Sequence, residues 1–267
     1  ACDYITASYS AMKLSCINLG RFVQDLASWT GFEISQLYVP DGFVQISSIM
    51  PQKRNPVPVE HMRLMFSLAS GGAEQIIETM HNTPFADMND SERETQSNGH
   101  QVFDRMKRAL MLLSGFVEAI EVDQSSVNKR IDASLATITE LADSIVRNEK
   151  ISFRQAHQIA HKIAQTSIEQ QKSLQEFSFE EYCCFFKSEI GDNAKMKPGI
   201  FNQISDPRHF VAVRNLRGGP SKESMLESLQ KYREKGESYI EKIAAEKTRM
   251  ELAVNQREQS AKNLMIS

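Results

Sequence analysis

The 267 residues are 41% hydrophobic and 24% charged, the proportions of an ordinary globular chain with room for a sizeable core. A formal charge of -3, with acids and bases interspersed, argues against a dedicated nucleic-acid binder, which would carry a basic face. Gly (12) and Pro (8) are scarce, which favours long helices over a turn-rich β fold. No apolar run approaches the ~18 residues of a membrane span, and no leader peptide is legible. The cysteines are Cys2, Cys16, Cys183 and Cys184, without a CxxC pair, as expected of reduced thiols in a cytosolic protein. The chain opens inside a helical pattern with no initiating Met, so a segment of a longer protein is expected.

Taken in order, residues 3–30 read as a helix with Leu19, Phe22, Val23 and Leu26 on one stripe. Gly31 is the expected stop, since glycine tolerates the left-handed conformation beyond a helix end. Phe32–Asp41 is short and apolar and ends in the turn signal Pro40-Asp41-Gly42. Residues 42–58 form a polar loop punctuated by Pro51, Pro56 and Pro58. A second helix is predicted from near Pro58 to about Thr79, with Glu60 in its first turn and an early stripe of Val59, Met62, Met65 and Phe66. Gly71-Gly72 inside it marks either a weak point or a close helix contact.

Residues 81–98 are polar and read as a connection or kink. A helix over about 99–121 follows, with Leu110, Leu113, Val117 and Ile120 in step. Another stripe, Ile131, Leu135, Ile138, Leu141 and Ile145, runs through 123–150. Ser152 with Gln155 three residues on is a capping-box pattern, so a helix starts there and extends to about Gln171. Phe177–Ile190 reads as a shorter helix with an aromatic face, 191–220 as irregular, and roughly 222–258 as a long helix capped by Ser221. The fold class is therefore all-α: a long-helix bundle domain over 1–122, holding the loop 42–58, then a smaller helical C-terminal domain over 123–267.

Two short motifs fall away on inspection. His157 and His161 stand at i, i+4, but HQIAH lacks the glutamate of a zinc-protease motif and no third ligand is evident. Gly218-Gly219 is not followed by the Lys-Ser/Thr of a phosphate-binding loop. The loop QISSIMPQKRNPVP, residues 45–58, is different. It sets two serines beside Lys53 and Arg54 just before a helix N-terminus. Those are parts that can hold an anion or a developing negative charge, although a basic surface loop without chemistry fits the spacing too.

SSIMPQKRNP resembles the signature of the fumarase/aspartase superfamily, whose usual form is Gly-Ser-Ser-x-Met-Pro-x-Lys-x-Asn-Pro. LADSIVRNEKISFRQAHQIA, residues 141–160, is similar to a C-terminal pattern of the argininosuccinate lyase family, and DPRHFVAVRNLRGGPSKE, residues 206–223, resembles its closing Gly-Gly segment more loosely. Asp3-Tyr4 and Arg21…Asp25-Leu26 fit the helix before the signature loop. The stretch from Phe153 to His157 favours this branch over adenylosuccinate lyase and fumarase.

The resemblance implies β-elimination across a C–N bond, releasing fumarate and an amine or guanidine product such as arginine, in arginine biosynthesis, without a cofactor or metal. It implies Ser47 as general base, Lys53 as stabiliser of the charged intermediate, and Glu60 as hydrogen-bond partner of a histidine from another subunit. Ser48, Met50 and Asn55 would contact substrate or shape the loop, Met50 by packing or through its backbone N–H. Partners implied are a small-molecule substrate and a homotetramer whose subunits share active sites, with no nucleic acid or membrane, in the cytoplasm.

The chain departs from the pattern at several points. Ile46 replaces the glycine before the serine pair, and a β-branched residue cannot easily take a positive φ. Cys2 stands where relatives carry an arginine. In an ungapped register Asp87, Glu92 and Thr95 occupy positions at which argininosuccinate lyases hold the arginine tail, so Asp87 and Glu92 are candidate contacts to a different cationic amine or simply a solvated surface. An inactive structural relative, and a paralogue for another N-succinyl substrate, both stay open. Because the resemblance covers only the later part of the family's length, little activity is expected of residues 1–267 alone.

Overall fold

A computed structural model describes residues 3–86 and 93–266. It divides into two compact units, Ala1–Arg130 and Ile131–Ser267. The all-helical class holds: among the described residues the strands amount to two antiparallel pairs of two-residue segments. Cys2, Asp87 and Glu92 lie outside the described residues, and Thr95 falls in the opening turn of a helix.

The first unit is built on α1 (Asp3–Thr30), α2 (Val57–Thr79) and α3 (Arg93–Ala119), with α1 packed on α2 and α2 on α3. The buried positions explain the packing. On α1 they are Tyr9, Met12, Cys16, Val23 and Leu26, and on α2 Val59, Met62, Phe66, Ala69, Ala73 and Ile76. On α3 Val102, Ala109, Leu113 and Phe116 are buried. The spacing alternates three and four, the 3.5-residue repeat that keeps one seam of a helix facing its neighbour. The second apolar stripes face outward. Leu14, Ile17 and Phe22 are exposed on α1, Leu64 and Leu68 on α2, and Phe103, Leu110 and Val117 on α3. The expected stripes through Phe22, Leu110 and Val117 therefore pointed partly to the wrong side, because these helices are apolar on more than one face.

Gly72 marks a close approach of α2 to α3. A Cβ there would lie 2.7 Å from Val102 Cγ2, whereas one on Gly71 would meet nothing within 4 Å. Gly71→Ala is expected to stabilise the unit by up to about 1 kcal/mol, the helix-propensity difference between the two residues. Gly72→Ala should instead lose about 1–3 kcal/mol, because Val102 is buried and has no room to give. Urea midpoints of the two variants check this, and equal shifts would contradict the close approach.

α1 stops at Thr30, just before Gly31 as expected, but Gly31 does not take the left-handed conformation. The left-handed residue is Ser35, at φ 52°, whose N–H donates to the Gly31 carbonyl. It leads into β1 (Leu37–Tyr38), which pairs with β4 (Glu121–Val122), the strand that follows α3. A 3-10 turn at Asp41–Phe43 precedes β2 (Gln45–Ile46), which pairs with β3 (Arg54–Asn55) at the foot of α2. α3 begins at Arg93, earlier than its periodicity indicated.

The stripe read through 123–150 is divided between α4 (Gln124–Ser134) and α5 (Ile138–Glu149), with Leu135 at φ 51° between them. The second unit packs α5, α6 (Phe153–Gln170), α7 (Phe179–Ile190) and α8 (Pro198–Ser205) around Leu141, Ile145, Ile159, Ile163, Tyr182, Phe186 and Phe201. The capping box of Ser152 and Gln155 opens α6. Two more of the same kind, Ser173 with Glu176 and Ser178 with Glu181, open a 3-10 turn and α7. The region read as irregular holds α8 and α9 (Pro207–Ala212), each with a proline in its first turn.

A buried carboxylate braces this core. Glu149 accepts the Tyr182 hydroxyl at 3.0 Å and the backbone N–H groups of Lys195 and Met196 at 2.7 and 2.8 Å. Burial, and then the neighbouring Glu149 charge, push the Tyr182 hydroxyl well above its ordinary pKa. The last helix, α10 (Lys222–Ile266), is longer than expected. Ser221 Oγ accepts the Ser224 N–H at its start, and most of its side chains are exposed.

Candidate active site

The signature loop is a short hairpin standing on the first turn of α2. The β2–β3 register sets Gln45 opposite Asn55 and Ile46 opposite Arg54. Alternation along a strand puts Gln45 and Asn55 on one face and Ile46 and Arg54 on the other. Ser47 and Lys53 are the residues that flank the ladder at its turn end, and residues 48–52 close the tip. A turn holds that tip, with the Lys53 N–H donating to the Met50 carbonyl at 3.0 Å.

Ser47 is half-buried, and its Oγ accepts two backbone hydrogen bonds, from Ile49 N–H at 3.2 Å and Met50 N–H at 3.1 Å. Two N–H dipoles aimed at one oxygen favour negative charge on it, the physical requirement for a serine that takes a proton. The Met50 side chain is 42% exposed, and its N–H is the part engaged with Ser47. Ser48 and Lys53 are exposed and Asn55 is half-buried. Among the described residues neither Lys53 Nζ nor the Glu60 carboxylate has an ion-pair partner. Glu60 is exposed in the first turn of α2, where Pro56 caps and Pro58 stands at the second position. Ile46 has no positive φ: it lies in β2 and is 72% exposed, so extended backbone serves where the usual signature has glycine.

Arg54, which the sequence offered only as an anion-holding cation of the loop, is engaged within the protein instead. Its guanidinium donates to Asp41 Oδ1 at 2.6 Å, to the Val39 carbonyl at 2.7 Å and to the Tyr38 hydroxyl at 3.2 Å, and it lies 5.1 Å from the Tyr38 ring centre. The hydrogen bond to Asp41 raises its pKa above the ordinary value. Nothing in the spacing from Tyr38 to Arg54 announces this contact.

His157 and His161 are both exposed on α6, and no group of three or more metal-ligating side chains gathers among the described residues. A cleft of about 570 Å³ lies in the second unit, lined by residues that include Glu140, Asp143, Arg147, His209 and Arg214. The buried Glu140 carboxylate there pairs with Arg147 and, at 3.2 Å, with Arg214. This cleft contains none of the loop residues. The serine and lysine of the elimination signature sit on the hairpin and not in that cleft.

Comparisons with known proteins point the same way. A family model described as "Lyase" matches residues 1–71, which include the whole loop, and one described as "Argininosuccinate lyase C-terminal" matches residues 135–212. Argininosuccinate lyase 2 of Agrobacterium fabrum is 48% identical over 235 residues, covering 88% of this chain and 47% of that protein. Argininosuccinate lyase 1 of Shouchella clausii is 26% identical over 242 residues, covering 91% and 49%. The chain thus spans about half the length of the curated relatives it matches.

Among solved structures, a variant of EDDS lyase with bound fumarate superposes with a TM-score of 0.76 at 21% identity, over 87% of this chain and 46% of that one. A class II fumarase from Schistosoma mansoni gives 0.58 at 17% identity, over 77% and 39%. These two likenesses establish the fold alone. Taken together, the loop, both matched segments and the 48% identical relative support reading this chain as part of an argininosuccinate lyase of the fumarase/aspartase superfamily.

Proposed function

We propose that the chain supplies the signature loop of a β-eliminating carbon–nitrogen lyase, which releases fumarate and an amine, with argininosuccinate as substrate and arginine as the second product. The observation that carries this reading is Ser47 Oγ receiving two backbone N–H bonds in the turn of the hairpin that also carries Lys53. Ser47, held as an alkoxide by those donors, takes the proton from the carbon next to a substrate carboxylate. The electron pair moves into that carboxylate to give an aci-carboxylate dianion. Lys53 offsets the added charge, an effect that is strongest where water is excluded. Collapse of the dianion forms the double bond of fumarate and expels the nitrogen, which leaves with a proton from an acid.

Asn55 and Ser48 bind substrate carboxylate in this scheme, and Met50 shapes the loop through its N–H. Glu60, free of an ion pair among the described residues, orients a histidine from another subunit. Asp87 and Glu92 contact the amine side of the substrate. The exposed apolar residues on α1, α2 and α3 support a homotetramer in which subunits share active sites. On this reading the protein acts in arginine biosynthesis in the cytoplasm. Among the described residues no helix is long and apolar enough to cross a membrane.

The acids at 87 and 92 make the leaving amine the open variable, so the test is a substrate panel. Argininosuccinate, adenylosuccinate and ethylenediamine-disuccinate are each incubated with the intact protein, and fumarate is followed by ultraviolet absorbance. The expected result is fastest release from argininosuccinate. Faster release from the diamine compound would keep the reaction and replace the substrate.

A further inference from the structure

We propose that Arg54 is a positioning residue for the lyase loop: its guanidinium clamps the hairpin onto the Tyr38–Asp41 segment and thereby sets the attitude of Ser47, Lys53 and Asn55. The positioning role rests on the lyase reading of the loop. The base of the hairpin is held by Phe43 and Val44, which pack against the core, and by the start of α2, but among the described residues no other hydrogen bond ties its strands to the unit. A ladder of two residues per strand is marginal in water without further packing. The Ser47 and Met50 bonds close the tip on itself and do not attach it to the body of the unit.

Arg54 makes that attachment. Its contacts reach Tyr38 in β1, Val39 behind it, and Asp41 in the 3-10 turn. Val39 is 6% exposed and belongs to the core of the first unit, and β1 is itself paired with β4. A continuous path therefore runs from the core through Val39 and Tyr38 to Arg54. From there it reaches Lys53 and Asn55, the residues on either side of Arg54 in the chain. Pinning Arg54 on one face of the strand turns its neighbour Asn55 to the other face. The contact also needs a planar fork: one guanidinium serves a carboxylate, a carbonyl and a hydroxyl while stacking on a ring, which a lysine ammonium cannot reproduce.

The test uses the intact protein with Arg54→Met, Arg54→Lys, Asp41→Asn and Ser47→Ala, read by fumarate-release kinetics, thermal midpoint and amide hydrogen exchange. Arg54→Met is expected to lower kcat by about 10- to 100-fold, as a misplaced catalytic group does, with KM changed by less than about threefold. Exchange at the Ile49, Met50 and Lys53 amides should quicken, and the thermal midpoint should stay put because the side chain is at the surface. Arg54→Lys should recover only part of the rate. Asp41→Asn should show a smaller loss, and should add little to Arg54→Met because the two share one contact. Unchanged kcat in Arg54→Met, with turnover still lost in Ser47→Ala, overturns the clamp alone, as does unchanged loop exchange. Unchanged turnover in both variants removes the loop reading and the positioning role with it.

Discussion

Replacing Ser47 by alanine in the intact protein is expected to lower kcat for fumarate release by on the order of a hundredfold or more, with KM changed by no more than about threefold. The substitution removes one oxygen. That oxygen is the proton acceptor in the scheme and the focus of two backbone N–H groups. Its loss leaves the Ile49 and Met50 amides without their acceptor, but Ile49 is 87% exposed and Met50 42% exposed, so water replaces it. Folding should therefore survive, and a fall in rate reports the chemistry rather than the fold. Steady-state kinetics beside a circular-dichroism melt separate the two. A near-normal kcat in a folded Ser47→Ala protein would remove Ser47 from the role of base.

The second large effect is on stability. Glu149→Ala should destabilise the second unit by about 3–5 kcal/mol, because it leaves three neutral donors without their acceptor at roughly 1–3 kcal/mol each. Glu149 is 4% exposed and serves the Tyr182 hydroxyl and the Lys195 and Met196 amides together. Without it, one fully buried hydroxyl and the turn leading into α8 lose their common acceptor. Tyr182→Phe removes only one of those bonds and should cost about 1.5–3 kcal/mol, the range for a bond to a charged group. Urea denaturation followed by the signal of the second unit measures both. A loss below about 1 kcal/mol for Glu149→Ala would mean that the carboxylate does not brace the core.

What could be read from the sequence was what is encoded locally. Ser152 with Gln155 specifies its own helix start within four residues, and the box forms as the pattern requires. Ser173 with Glu176 and Ser178 with Glu181 obey the same rule and were legible in principle. The loop was visible because its residues are contiguous. Helix faces were harder. Leu110 and Val117 keep good helical spacing, yet Ala109 and Phe116, one position earlier in each case, are buried. A helix apolar on two sides gives two periodic solutions, and only its neighbours choose between them.

Ser35 and Leu135 take left-handed conformations with no residue-type signal, since surrounding contacts rather than a glycine hold them there. The Arg54 contact was hidden for a related reason. Its partners lie 13 to 16 positions back in the chain, and the basic character of the loop drew attention to Lys53 and the anion instead.

The reaction itself is tested most directly by product stoichiometry. The intact protein is incubated with argininosuccinate, fumarate is followed by ultraviolet absorbance, and arginine is quantified in the same samples. Fumarate and arginine are predicted to appear in equal amounts, at a rate lowered on the order of a hundredfold or more by Ser47→Ala. Absence of fumarate from argininosuccinate and from every other N-succinyl amine tried, by a folded and assembled protein, would contradict the lyase assignment.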